Sequence, residues 1–340
     1  MNIAVREDKS RKIASREHNT YITEGINPHR ATQSVPATFL LPLSEEIQGH
    51  IEQRQSAVEK LLRQYLGEPF FSDVGFILYQ GNSVDFLELL READLNIDLT
   101  ITSPPYNIGK EYEQPMSVDE YVRWCSKWMG QIYTLTKPSG AFWLNVGYLE
   151  VPEKGLCVPI PYFLWDKSQF YLIQEVIWKY GAGVSAKRRL SPRNEKWLFY
   201  VKNSDDYTFN LEEIRDPNVK YPNQKKNGKY RCNPLGKNPS DVWEFPKVTT
   251  GKDRSSKERT GHPAQFPLAV VERVILASSN KSEIVFDPFA GSCSAGIAAV
   301  GLGRIFVGFE LKSDYCRLAV DRFKEFKEER QIAQRQASLF

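Results

Sequence analysis

The sequence predicts an α/β protein built on a mostly parallel sheet with helices on both faces. Three stretches carry that expectation. Ile97-Asp98-Leu99-Thr100-Ile101 alternates and is β-branched enough to form a buried strand, and two consecutive prolines then stop it. Ile284 to Asp287 is a second apolar strand, running into an acidic, glycine-bearing turn. The small residues after it (Ser294, Ala295, Gly296, Ala298 and Ala299) suit a helix packed tightly on a sheet. A third strand, Ile305-Phe306-Val307-Gly308-Phe309, ends on Glu310. The last two form a βαβ unit with an acid at the tip of its second strand, a layout suited to binding a ribose through two hydroxyls. The run from Gly291 to Gly296 lacks the G-x-G-x-x-G spacing that a nicotinamide-binding unit requires.

At 340 residues the chain accommodates one large α/β domain with an insertion, or two modest domains. A formal charge of +3 is too small to establish a polyanion partner, so the distribution of charge must carry that argument. The five cysteines (125, 157, 232, 293 and 316) form no C-x-x-C pair and no zinc spacing with the four histidines. They read as reduced thiols of a cytoplasmic protein. No apolar run approaches the roughly 20 residues that span a bilayer, so no membrane partner is expected, and the N-terminus has no signal-peptide core.

Residues 1–40 are polar and aperiodic and read as a loosely ordered arm. Lys9, Arg11, Lys12, Arg16 and Arg30 within it are solvated charges or phosphate contacts. In the next segment, 41–70, a helix should start after Ser44 as N-cap, carry Glu45 and Glu46 in its first turn, and stop at Gly67. Ile47, Ile51, Val58, Leu61, Leu62 and Tyr65 fall on one stripe, which packs on the main domain or against a second copy. Gly75 to Gln80 reads as a strand, and Gly81-Asn82-Ser83 turns into a helix through Leu90. Ser117 to Leu135 is helical, its Tyr121, Trp124, Trp128 and Tyr133 serving the core. Pro138 to Val146 is a turn into a buried strand. Val176-Ile177-Trp178 and Trp197 to Val201 look like an antiparallel pair, joined by a glycine-rich and then basic loop over 181–193.

Composition shifts after Asp216. Residues 216–260 hold eleven Lys or Arg against five Asp or Glu, with Tyr221, Tyr230, Trp243 and Phe245 interleaved. A basic linker would account for this, but a loop so long inside a compact domain is more often functional. The expected organisation is a first half over 71–202, an insertion over 203–260, a second half over 261–330, and a frayed tail over 331–340.

The chemistry concentrates in Thr102-Ser103-Pro104-Pro105-Tyr106-Asn107. Each proline forces the residue before it into an extended conformation, so Ser103 and Pro104 are held with carbonyls that no neighbouring strand easily claims. Tyr106 adds a flat aromatic face. A hydroxyl, a fixed carbonyl and a ring suit a planar base with an exocyclic amino group: two acceptors for two amine hydrogens, and a ring to stack on. A polyproline turn with a surface tyrosine would account for the same residues taken alone.

With these motifs together, the chain resembles the amino-group DNA methyltransferases that use S-adenosylmethionine, in the permuted order where the catalytic motif precedes the cofactor motif. The resemblance runs from about Phe76 to about Phe323. It implies a Rossmann-like sheet closed by the antiparallel pair, with a target-recognition region inserted. It implies catalytic roles for Ser103, Pro104, Pro105 and Tyr106, and a methionine-cradling loop of Asp287, Pro288, Phe289, Ala290, Gly291 and Ser292. Glu310, followed by Leu311, looks like the ribose ligand. His262, Pro263, Phe266 and Pro267 belong to the segment closing over the methionine end. Asn82 and Thr102 complete the cofactor set; Asn82 stands where relatives usually carry Asp, and Cys293-Ser294 stands where many continue with Gly-Thr. The loop 109–112 is placed to fold over the base pocket. Phosphate contacts are implied for Lys187, Arg188, Arg189 and Arg193, and target recognition for Lys225, Lys226, Lys229 and Arg231.

The resemblance further implies a double-stranded DNA substrate, no metal, a monomer or homodimer, and a nucleoid-associated enzyme of a prokaryotic cytoplasm. A cognate restriction endonuclease acting on the same site would be its natural companion. Because the motif begins with Ser, cytosine N4 is the expected target of a flipped-out base. Adenine N6 is the alternative, and a DNA-binding relative without activity is a third reading that the intact Ser103–Tyr106 and Glu310 argue against.

Overall fold

The alternating stretches lie side by side in a computed structural model of the protein, which describes residues 35–110, 115–181, 183, 185–248 and 258–338. The basic residues expected in the N-terminal arm, Glu111 and Tyr112 of the pocket loop, and Lys252, Arg254 and Lys257 fall outside the described residues. In chain order the elements are α1 (Glu45–Leu66), β1 (Phe71–Asp73), β2 (Phe76–Gln80), α2 (Ser83–Leu89), β3 (Ile97–Thr102), α3 (Val118–Leu135) and β4 (Thr136–Val146). There follow β5 (Tyr148–Val151), β6 (Gly155–Pro159), α4 (Pro161–Leu164), β7 (Tyr171–Lys179), β8 (Asn194–Val201), β9 (Lys225–Lys226), β10 (Lys229–Tyr230) and β11 (Val242–Glu244). The chain ends with α5 (Leu268–Ser278), β12 (Ile284–Asp287), α6 (Ser294–Gly301), β13 (Ile305–Glu310) and α7 (Ser313–Ala337).

Among the described residues the main sheet has nine strands, in the order β1-β2-β13-β12-β3-β4-β8-β7-β11. Its centre, from β2 to β4, is parallel; β8 and β7 close one side antiparallel, as the sequence predicts. Alternation along the strands splits the core in two. Leu78, Leu99, Trp143 and Phe306 face α5, α6 and α7, while Ile77, Phe142, Leu144 and Val307 face α1, α2 and α3. Helices therefore cover both faces.

The crossovers leave opposite faces of the sheet at β3 and β12. The β12–α6–β13 unit winds one way and β3–α3–β4 the other, so a crevice opens at the carboxyl ends of these two adjacent parallel strands. That switch point is where Thr102 and Asp287 end their strands.

Local signals set the helices. The Ser44 hydroxyl accepts from Ile47 N–H at 3.4 Å, and Gly67 ends α1 at φ 76°. Val58 and Leu62 of α1 pack on the sheet. Arg54 anchors the same helix through an ion pair of 2.7 Å to Asp98, a buried carboxylate that Lys137 also holds at 2.5 Å. Ser117 opens α3 with a reciprocal capping box to Glu120.

Two expectations are corrected. The arm expected through residue 40 gives way by Val35, because Phe39 and Leu40 are apolar and bury; Phe39 packs against Gly301, where a Cβ would lie 2.6 Å from its ring. The tail expected to fray is helical to Ala337, since Arg330 donates to Leu41 O at 2.9 Å and Gln334 to Leu40 O at 3.5 Å, tying α7 to that buried segment. The 203–260 insertion contributes a strand to the sheet. Its β11 pairs with β7, and Trp243 stacks on Trp143 with centroids 5.6 Å apart.

Candidate functional site

The crevice begins with a buried pair. Thr102 Oγ1 donates to Asp287 Oδ1 at 2.6 Å, and Phe289 N–H donates to the same oxygen at 3.0 Å. Burial pushes the Asp287 carboxyl up to about 7; these two hydrogen bonds oppose the rise and the charge of Glu310 adds to it. A carboxyl so poised becomes a carboxylate readily when a cation approaches.

After Asp287 the chain makes a tight turn whose backbone is bound at each step. The Pro288 carbonyl accepts from Ser83 Oγ, Ala290 N–H donates to Phe309 O at 2.9 Å, and Gly291 N–H donates to Glu310 Oε2 at 2.9 Å. Gly291 has φ 52°, and a Cβ there would lie 2.8 Å from His262 Nε2, so only glycine lets the imidazole close over the loop. Cys293 is also left-handed, at φ 54° and ψ 39°, and caps α6 without a side-chain bond. For a non-glycine residue this conformation costs about 1–3 kcal/mol. Arg322 braces this turn. Its buried guanidinium donates to Ser292 O at 3.0 Å and to Ser294 Oγ at 2.9 Å. Ser294 Oγ in turn donates to Phe266 O at 3.0 Å, fastening the 262–267 segment to the loop.

Glu310 presents both oxygens inward to backbone donors, Oε2 to Gly291 and Oε1 to Lys312 N–H at 2.8 Å. Burial raises its pKa, and those bonds oppose the rise. Not every expected residue reaches the crevice with its side chain. Phe289 packs on Trp124 and Trp128, with centroids 5.6 and 5.3 Å away, and Phe266 on Trp197 at 5.1 Å. Their rings fill the core, which leaves only backbone for a ligand. Asn82 spends Oδ1 as the N-cap of α2, accepting from Val84 N–H at 3.0 Å. Pro267 starts α5, while Pro263 and Leu311 are exposed.

On the β3 side, Ser103 Oγ donates to the Tyr106 hydroxyl at 2.8 Å, and that hydroxyl donates to Asn145 Oδ1 at 2.7 Å. Glu195 Oε2 lies 3.4 Å from the same hydroxyl, and Glu195 Oε1 is paired with Lys247 Nζ at 2.5 Å. Asn145 is oriented by its own amide, which donates to Lys196 O at 3.2 Å. Gly147 lies against the Tyr106 ring, where a Cβ would come within 3.1 Å. Tyr121 OH donates to Pro105 O at 3.0 Å and pins the second proline. Because its proton goes to Tyr106, Ser103 Oγ offers lone pairs to an incoming N–H.

The basic residues lie apart from this buried network. Lys187, Arg188 and Arg189 are exposed on the β7–β8 loop, and Arg193, half-buried, donates to Pro192 O at 3.0 Å. Lys225, Lys226 and Lys229 form a two-stranded ribbon closed by Asn227 and Gly228, both with positive φ (52° and 77°), and Arg231 follows it. Lys225 covers the Tyr230 ring at 4.6 Å. Among the described residues no group of three or more His, Cys, Asp or Glu side chains is arranged to hold a metal ion, and no helix is long and apolar enough to cross a membrane.

Sequence reading missed Asn145, Glu195, Lys247, Arg322 and Ser83. Asn145 had a signal, a lone amide in the apolar run Ala141 to Val146. The others had none, because their partners stand far away in sequence.

Comparison with known proteins identifies the family and the fold. The N6_N4_Mtase family, described as DNA methylase, matches residues 97–321. The Type II methyltransferase M.ScaI of Streptomyces caespitosus is 56% identical over 264 residues, covering 77% of this chain and 86% of that protein. The DNA adenine methyltransferase YhdJ of Escherichia coli (strain K12) is 32% identical over 244 residues, covering 69% and 79%. The cytosine-N4-specific PvuII DNA methyltransferase shares the fold with a TM-score of 0.60 at 18% identity, covering 78% of this chain and 95% of that one. The chain belongs to the N6_N4_Mtase family of DNA methylases.

Proposed function

We propose that the protein transfers a methyl group from S-adenosylmethionine to the N4 amine of a cytosine flipped out of duplex DNA, as the modification enzyme of a restriction-modification system. The observation that carries this reading is the Ser103 hydroxyl, whose proton is committed to Tyr106 and whose lone pairs stay open. A base amine is a poor nucleophile because its lone pair is delocalised into the ring. Accepting its hydrogens at Ser103 Oγ and the Pro104 carbonyl favours the pyramidal nitrogen that attacks in line. Flipping costs a few kcal/mol, and stacking on Tyr106 returns about 1–3 kcal/mol. Proximity supplies much of the rest.

The cofactor cradle fits this chain. Gly291 leaves room under His262, and Glu310 has lone pairs oriented by Gly291 and Lys312 for two ribose hydroxyls. Asp287, poised near neutrality, suits the cationic methionine end. When bound, the cofactor supplies an electrophilic methyl on sulfonium sulfur. Lys187, Arg188, Arg189, Lys225, Lys226, Lys229 and Arg231 suit the phosphates of the duplex, being exposed and basic.

The test is the product. DNA methylated in vitro with labelled cofactor is digested to nucleosides and resolved by mass spectrometry, and N4-methylcytosine is the expected species. Label on adenine N6 would support the second reading, which the 32% identity to an adenine methyltransferase favours. Label on cytosine carbon 5 would overturn both.

A further inference from the structure

Resting on the amine-methylation reading, we propose that Glu195 is the proton acceptor of the reaction, a positioning residue reached through the hydroxyls of Ser103 and Tyr106 and held by Lys247. Methyl transfer leaves the amine nitrogen with one bond too many and a positive charge, so a proton must leave it. Ser103 Oγ, which accepts an amine hydrogen in the reading above, is the first station. It donates to Tyr106 OH at 2.8 Å, so the hydrogen-bond direction already runs away from the base.

Tyr106 OH has two acceptors in reach. Asn145 Oδ1, at 2.7 Å, is the nearer, but a neutral amide does not keep a proton. Glu195 Oε2, at 3.4 Å, is a carboxylate and does. The balance is simple. The methyl group leaves sulfur without its electron pair and bonds to nitrogen. The amine proton passes to Ser103 as the Ser103 proton passes to Tyr106 and the Tyr106 proton to Glu195. Sulfonium and carboxylate are consumed together, leaving a neutral thioether and a neutral acid.

The surroundings fix Glu195 for this. Its other oxygen is paired with Lys247 Nζ at 2.5 Å and accepts from Tyr180 OH at 3.4 Å. Lys247 in turn covers the Tyr180 ring at 4.1 Å. Both Glu195 and Lys247 are mostly shielded from solvent, with side chains 15% and 22% exposed, so the relay does not run through bulk water. Lys247 belongs to the same insertion as the basic ribbon, and its pairing ties that insertion to the catalytic motif.

Single-turnover methyl transfer, with the protein saturated by labelled cofactor and DNA, tests the idea. Glu195→Gln keeps an acceptor but cannot keep a proton, and its rate constant should fall at least about ten-fold with DNA and cofactor Kd within about two-fold. Tyr106→Phe keeps the ring and breaks the chain, and its loss should not add to that of Glu195→Gln. Unpairing Lys247 is a separate effect, so Glu195→Gln/Lys247→Met restores charge balance and should remain slow. The split between a fallen rate constant and unchanged Kd values is a readout that mere packing would not give. A wild-type rate in Glu195→Gln, in Tyr106→Phe or in the double variant overturns the relay. A wild-type product not methylated on an exocyclic amine overturns the underlying reading instead.

Discussion

At Glu310 one carboxylate accepts from the backbone N–H groups of Gly291, on the turn after Asp287, and Lys312, at the start of α7, and its proposed role is to hold a ribose. Charge-assisted bonds of this kind contribute about 1.5–3 kcal/mol each. Glu310→Ala should weaken S-adenosylmethionine binding by tens-fold or more while DNA binding without cofactor persists, and Glu310→Gln, which can still brace Gly291, should lose less. Calorimetry on the folded variants decides it; equal affinities would remove Glu310 from the site. Gly147 tests the other half. A Cβ there meets the Tyr106 ring at 3.1 Å, so Gly147→Ala must move the ring by a few tenths of an ångström. Turnover should drop several-fold with Tm nearly unchanged, since an ångström-scale misplacement is costly for chemistry and cheap for folding. A Tm loss without a turnover loss would make Gly147 merely a packing residue. Ser103, Tyr106, Asp287 and Glu310 were legible in the sequence because each stands in a short local run at the end of a strand. Glu195 was not, because Tyr106 and Lys247 are 89 and 52 residues away and only the β4-β8-β7-β11 order of the sheet brings them together.

Among the elements, the β9–β10 ribbon shows how a composition shift becomes a shape. Lys225, Lys226 and Lys229 cannot bury, so the segment contributes nothing to the core, and Asn227-Gly228 supplies the two positive φ values that a tight hairpin needs. The Asn-Gly dipeptide is a local hairpin signal that the sequence reading did not use. A ribbon of this kind has the width to enter a major groove, and three of its four strand residues are lysines. Neutralising Lys225, Lys226 and Lys229 together should lower DNA affinity and flatten its salt dependence by a slope of about one per lost phosphate contact. Cofactor affinity should not change. Fluorescence titrations across salt concentrations measure both, and an unaltered slope would make the ribbon a packing or linker feature. Elements with strong local signals, α1 between Ser44 and Gly67 and α3 behind Ser117, match the expected bounds within a residue. By contrast β11 is three residues long and gains its place from Trp243 stacking on Trp143, a long-range packing that no window of sequence displays.

For the whole molecule, the buried Asp287 carboxyl in the crevice at β3 and β12 is a cost to folding that a bound cation, as proposed for the cofactor, would relieve. Asp287 is fully buried, and its carboxyl is raised from 3.8 to about 7. Between those values the folded protein keeps a proton that the unfolded chain has lost, so stability falls with rising pH by about 1.4 kcal/mol per unit. The contribution is complete below the unfolded pKa and gone above neutrality, roughly 4 kcal/mol in all. Burial likewise raises Asp98 and Glu310, so the sign is shared and only a difference isolates Asp287. Asp287→Asn keeps an oxygen for Thr102 and Phe289 N–H and removes the titration. Urea unfolding of the unliganded protein from pH 5 to 8 should show wild type losing stability relative to Asp287→Asn, with the two curves parallel above neutrality. Saturating S-adenosylmethionine should flatten the wild-type curve, because a bound cation favours the carboxylate and binding then releases a proton, measurable by calorimetry in buffers of different ionisation enthalpy. Parallel curves across the whole range would mean that Asp287 titrates alike in the folded and unfolded chain, and the poised carboxyl at the switch point would have no part in receiving the cofactor.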